Sequence, residues 1–72
     1  MGPVQRQMLA KLDAAPDGAG GLRRHEVSAA AVRHGWARWC GDLSDAVAWY
    51  EITAEGRRRL HAWREHNPGR LY

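Results

Sequence analysis

One cysteine, one lysine, three prolines and no phenylalanine occur in 72 residues. The lone Cys40 excludes an intrachain disulfide and any metal site built on paired cysteines, so a reducing compartment is expected. No apolar run approaches the roughly 18 residues of a membrane span. Met1 to Leu12 is interrupted by polar residues where a secretion signal would hold an apolar core. The chain therefore reads as cytoplasmic, with no membrane partner. Histidines at i, i+4 spacing and a glycine-rich phosphate loop are also missing. The expectation is no enzyme, no metal and no cofactor.

Length allows one hydrophobic core and no second, because a chain of this size buries only about 60% of its unfolded surface. A single domain over residues 1–72 is expected, with 1–2 and 69–72 as candidate loose ends. The hydrophobic fraction of 44% is close to that of folded domains, so the chain should order despite eight glycines. Net charge is +3, which favours an anionic partner. Twelve alanines, eight glycines and ten arginines are the usage of a high-GC genome, so the position of each arginine carries more information than its number.

Periodicity divides the chain. Pro3 suits a first helical position, and Val4, Met8, Leu9 and Leu12 recur at helical spacing, predicting a helix to about Ala15. Pro16-Asp17-Gly18-Ala19-Gly20-Gly21 reads as a loop. Leu22-Arg23-Arg24 reads as a short extended piece or a turn. A second helix is expected from His25 to His34, ended by Gly35, with Val27, Ala30, Ala31 and His34 inward and Glu26, Ser28, Ala29 and Arg33 outward. Trp36 to Cys40 and Val47 to Thr53 have strand character on either side of a turn at Gly41 to Asp45, predicting a β-hairpin. Thr53 is a good N-cap for a last helix carrying Leu60 and Trp63 inward, with Asn67-Pro68-Gly69 as its stop and Arg70-Leu71-Tyr72 as a loose tail.

The stretch Tyr50-Glu51-Ile52-Thr53-Ala54-Glu55-Gly56-Arg57-Arg58-Arg59-Leu60 resembles the end of a winged helix-turn-helix domain, where an aromatic-x-aliphatic-Thr-x-x-Gly-x-x-x-Leu run closes the wing and opens a C-terminal helix. Arg33-His34-Gly35-Trp36 is similar to the end of a recognition helix and the start of the first wing strand. The resemblance covers about half of the chain. It implies an α+β fold of three helices with a β-hairpin wing and a possible third short strand. Ile52 would point into the core, Thr53 would cap the helix, and Gly56 would leave space where that helix crosses the sheet. Leu22 to Gly35 supplies 14 residues where two helices and a tight turn take about 20, so one helix should be absent or reduced to a turn. Asp42 and Asp45 make the wing tip acidic, and phosphate would repel it.

Two functional readings follow. A small DNA-binding regulator or accessory factor would contact duplex DNA through Arg23, Arg24, His25, Ser28, Arg33 and Arg38, with Arg57 on the backbone. A protein-interaction module, such as an accessory product of a phage or actinobacterium acting on a host protein, would use Trp36 and Trp39 together with Arg58, His61 and Arg64. Arg57, His61 and Arg64 stand at i, i+4, i+7 and form one basic stripe. Trp36 and Trp39, three apart, should point to opposite sides of their strand, so at least one should lie off the core and could anchor a partner or a homodimer beside Tyr50 or Tyr72. The tryptophans otherwise read as core, as does Cys40, and His34 reads as half-buried.

Overall fold

The computed structural model describes residues 1–67. It is an α+β structure of three helices, α1 (Pro3–Ala14), α2 (Ala29–Arg33) and α3 (Ala54–His66), and three strands, β1 (Ala19–Arg23), β2 (Ala37–Asp42) and β3 (Val47–Ile52). The strands form one antiparallel sheet in the order β1-β3-β2, so β1 is the third strand that the sequence left open. Pro68, Gly69 and the tail Arg70-Leu71-Tyr72 lie outside the described residues.

Helix α1 begins with Pro3 at its first position, and the Gln5 side chain accepts a hydrogen bond from the Gly2 N–H. Its Met8, Leu9 and Leu12 are buried against the sheet and α3, where Leu22, Ala37, Ile52 and Leu60 complete the core. Val4 differs from the expected stripe: it is 47% exposed, one turn before Met8.

The glycine run departs most from its reading as a loop. Pro16–Gly18 forms a short 3-10 turn, with Asp17 and Gly18 at positive φ, and Ala19-Gly20-Gly21 then enters β1. Pairing with Glu51, Tyr50 and Trp49 of β3 overrides the low strand propensity of glycine. At Gly21 a Cβ would come within 3.0 Å of Val47 Cγ1 and 3.3 Å of Leu43 Cδ1, so the missing side chain is what lets the hairpin residues lie over this strand.

The second helix is five residues long, not ten. Residues Arg24–Glu26 form a 3-10 turn, Val27 is extended, and Ser28 caps α2 by accepting a hydrogen bond from the Ala31 N–H at 3.1 Å. Serine competes for the backbone and starts the helix where it stands. Glu26 accepts from the Arg23 N–H and from Lys11 of α1, which holds the preceding turn in place. Gly35, at φ 77°, ends α2: its N–H donates to the Val32 carbonyl, and that of Trp36 donates to the Ala31 carbonyl.

Thr53 joins the hairpin to α3. Its hydroxyl oxygen accepts from the Gly56 N–H at 3.0 Å, its hydroxyl donates to the Gly35 carbonyl at 2.6 Å, and its N–H donates to the Trp36 carbonyl. A Cβ on Gly56 would overlap the Trp36 carbonyl group, 2.7 Å from its carbon. The close approach expected at Gly56 is therefore made against the backbone entering β2.

Candidate interaction surface

Side chains alternate across a strand. In the sheet, Leu22, Ala48, Tyr50 and Ile52 face the helices, while Arg23, Val47, Trp49 and Glu51 face away. The register Trp39↔Tyr50 puts Trp39 on the helix side, and a bulge between Trp39 and Asp42 turns the end of β2. Helix α2 is too short to extend over this end of the sheet. What remains is a groove of about 720 Å³ whose lining includes Arg24, Val27 and Ala29 around the start of α2, Trp39, Asp42, Leu43 and Asp45 of the hairpin, and Leu22 and Tyr50.

Trp39 is 54% exposed and Leu43 61%, and Trp49, on the opposite face, is 39% exposed. The Trp39 indole N–H donates to Asp42 at 3.2 Å, which fixes the ring at the groove rim. Trp36 and Trp63 are half-buried; His34 stacks on Trp36 at 4.5 Å between ring centroids, and Arg6 lies 4.7 Å from the Trp63 ring. Trp39 thus lies off the core, as expected of at least one of Trp36 and Trp39, while Trp49 lies off it against the reading that places the other tryptophans inside. Cys40 and His34 are likewise exposed. Cys40 sits on β2 at the sheet edge beside the bulge, where no second layer covers it.

The basic residues read as a recognition surface do not converge. Ser28 is 7% exposed; its hydroxyl is occupied as the cap of α2 and its N–H donates to Met8 Sδ, so it does not face outward. His25 lines a separate, smaller groove against Val4, Gln7 and Lys11 of α1, whereas Arg24 lines the hairpin groove. Arg38 is ion-paired to Glu51 across the sheet. Among the described residues the side chains of Arg23, Arg24 and Arg33 make no ion pair, and all three are exposed.

The stripe on α3 has a local purpose. Arg57 Nε lies 2.8 Å from Asp13 Oδ1, and His61 Nε2 and Arg64 Nη1 lie 3.2 and 3.5 Å from Asp13 Oδ2. Three groups at i, i+4, i+7 converge on one carboxylate of α1 and clamp the two helices. Burial pushes the Asp13 carboxyl up, but the hydrogen bonds and charges of His61 and Arg57 outweigh it and hold the group below its ordinary value. Glu26 is also held low, by its hydrogen bonds from Lys11 and from the Arg23 backbone. Arg58 and Arg59 both pair with Glu55 one turn back on α3, and Arg59 lies 5.8 Å from the Trp36 ring.

The chain matches no family model, no curated protein and no solved structure. The surface is therefore read from its own chemistry. Among the described residues no group of three or more potential metal ligands is present, and no helix is long and apolar enough to cross a membrane. Sequence reasoning singled out Trp39 but missed Leu43 and Trp49 as exposed groups. The signal was there in Trp49 and Tyr50, adjacent on one strand and so forced to opposite faces.

Proposed function

We propose that the chain is a reduced winged-helix-like domain that docks a protein partner at the end of its hairpin. What supports the architecture is a helix ended by Gly35, a hairpin leading directly into α3, and the Thr53 and Gly56 junction that ties them together. The observation that carries the function is the placement of exposed apolar surface. Of the five large hydrophobic side chains exposed among the described residues, Trp39, Leu43 and Trp49 all belong to the hairpin. Trp39 and Leu43 line the groove, whereas Trp49 stands on the opposite face of the same hairpin, and an exposed tryptophan beside an exposed leucine at a groove is the usual anchor for a protein partner.

Three features weigh against base-specific DNA recognition. Helix α2 spans only Ala29–Arg33, and of its two exposed side chains Ala29 offers no hydrogen bond to a base edge, which leaves Arg33 alone. The hairpin tip is acidic. The α3 stripe is engaged by Asp13.

A photo-crosslinking residue placed at Leu43 should give discrete protein adducts in source cells, and the same group at exposed Ala14 should not. Adducts at neither position, or equally at both, would remove the docking reading. A second reading, phosphate contact by a duplex, is favoured by Arg23, Arg24 and Arg33, which make no ion pair among the described residues. Anisotropy of a labelled random duplex at roughly 50 and 200 mM salt separates the two. Saturable binding that weakens steeply with salt, and is lost in an Arg24→Ala/Arg33→Ala variant, would put DNA first.

A further inference from the structure

We infer that the partner seated in the hairpin groove is a second copy of this chain, paired about a twofold axis; this rests on the docking reading above. The groove lining carries charges of both signs, Arg24 from the 3-10 turn before α2 and Asp42 and Asp45 from the hairpin. Within the described residues neither Arg24 nor Asp45 has an ion-pair partner, and Asp42 accepts only from the Trp39 indole. The half-buried Val27 and Tyr50 and the exposed Trp39 supply the apolar part of the lining.

The occupant must match both signs. A nucleic acid would set phosphates against two carboxylates, and a purely cationic segment would meet Arg24. A dipolar partner satisfies both, and this groove is its own complement. In a twofold pairing residue i meets j while j meets i, so Arg24 of each copy faces the acidic tip of the other. Two equivalent sets of ion pairs form, and the Trp39 rings close over the shared apolar centre. Strand β2 lies at the edge of the sheet, so among the described residues no strand stands outside it. Other cations are less able to take this role, because Arg57, His61 and Arg64 already hold Asp13 and Arg38 holds Glu51.

Charge exchange tests this pairing. Sedimentation between roughly 5 and 500 μM should show a monomer–dimer equilibrium that shifts with concentration. Arg24→Glu and Asp45→Arg, both at exposed positions, should each weaken self-association by about tenfold or more while leaving the far-UV circular dichroism unchanged. Mixing the two variants should restore a dimer containing one of each. A chain that is monomeric at every concentration, or a wild-type dimer whose two variants fail to pair when mixed, overturns the inference. The crosslinker at Leu43 keeps the two proposals separable. An adduct with a different protein from a monomeric chain removes self-pairing and leaves the docking reading standing, whereas no adduct and no dimer removes both.

Discussion

Gly56 and Gly35 make different demands on their positions. At Gly56 the obstacle is another backbone: a Cβ would collide with the Trp36 carbonyl, and a backbone cannot move aside as a side-chain tip can. Gly56→Ala should therefore cost about 3 kcal/mol, measured as a lower midpoint in urea unfolding. At Gly35 nothing lies within 4 Å of an added Cβ, and only the positive φ of 77° opposes substitution. Gly35→Ala should cost about 1–2 kcal/mol, the price of the left-handed conformation alone. A chain of this length has about 4–10 kcal/mol of total stability, so the first variant removes a large share of it. If the two variants were equally stable, the close approach of α3 to the entrance of β2 would not exist. Thr53 supports the same junction from its other side, since one hydroxyl both caps α3 and holds the Gly35 carbonyl.

Between elements, the decisive contact is the clamp from α1 to α3. Asp13 sits below its ordinary pKa of 3.8, so its contribution to stability is complete above that value. It is lost as pH falls through the lower, folded value, where the carboxylate takes up a proton and Arg57, His61 and Arg64 lose their shared anion. Asp13→Asn should flatten this acid limb of the stability profile and cost about 1 kcal/mol at neutral pH, because solvent screens an interhelical pair at the surface. Urea midpoints from pH 2 to 7 for both proteins check this, and parallel profiles would show that Asp13 carries no such linkage. Helix α2 illustrates the opposite case. Its five residues are bounded by the Ser28 cap and the Gly35 turn, and its shortness leaves the inner face of the hairpin open.

Across the whole molecule, charge is segregated more than its net value of +3 implies. Many of the cations are used internally, in pairs with Asp13, Glu26, Glu51 and Glu55. Arg23, Arg24 and Arg33, without an ion pair among the described residues, lie near α2 and the adjoining strand, while Asp42 and Asp45 mark the hairpin tip. The tryptophans divide in the same way. Acrylamide should quench a fast fraction assigned to Trp39 and Trp49, removed by Trp39→Phe and Trp49→Phe, and leave Trp36 and Trp63 protected. With self-association, the Trp39 fraction should become protected as concentration rises; accessibility of Trp39 that is the same at every concentration would contradict burial at a shared groove.

Local chemistry was readable where a single residue dictates its own surroundings. Thr53 as a cap, Gly35 as a helix stop, Gly56 at a close approach, Pro3 at a helix start and the hairpin from β2 to β3 all follow from backbone geometry or hydrogen-bonding capacity within a few residues. Pairing across distance was not readable in this way. Nothing in Ala19-Gly20-Gly21 signals a strand until β3 supplies hydrogen bonds and Trp49, Val47 and Leu43 occupy the space left at Gly21. The basic stripe on α3 was visible as a period, yet only the position of Asp13 turns it from a solvent-facing surface into a clamp. Ser28 could have faced either way until α1 packed against it. Exposure of Trp39 depends on how far α2 reaches over the sheet, a property of the assembled elements and of no single one.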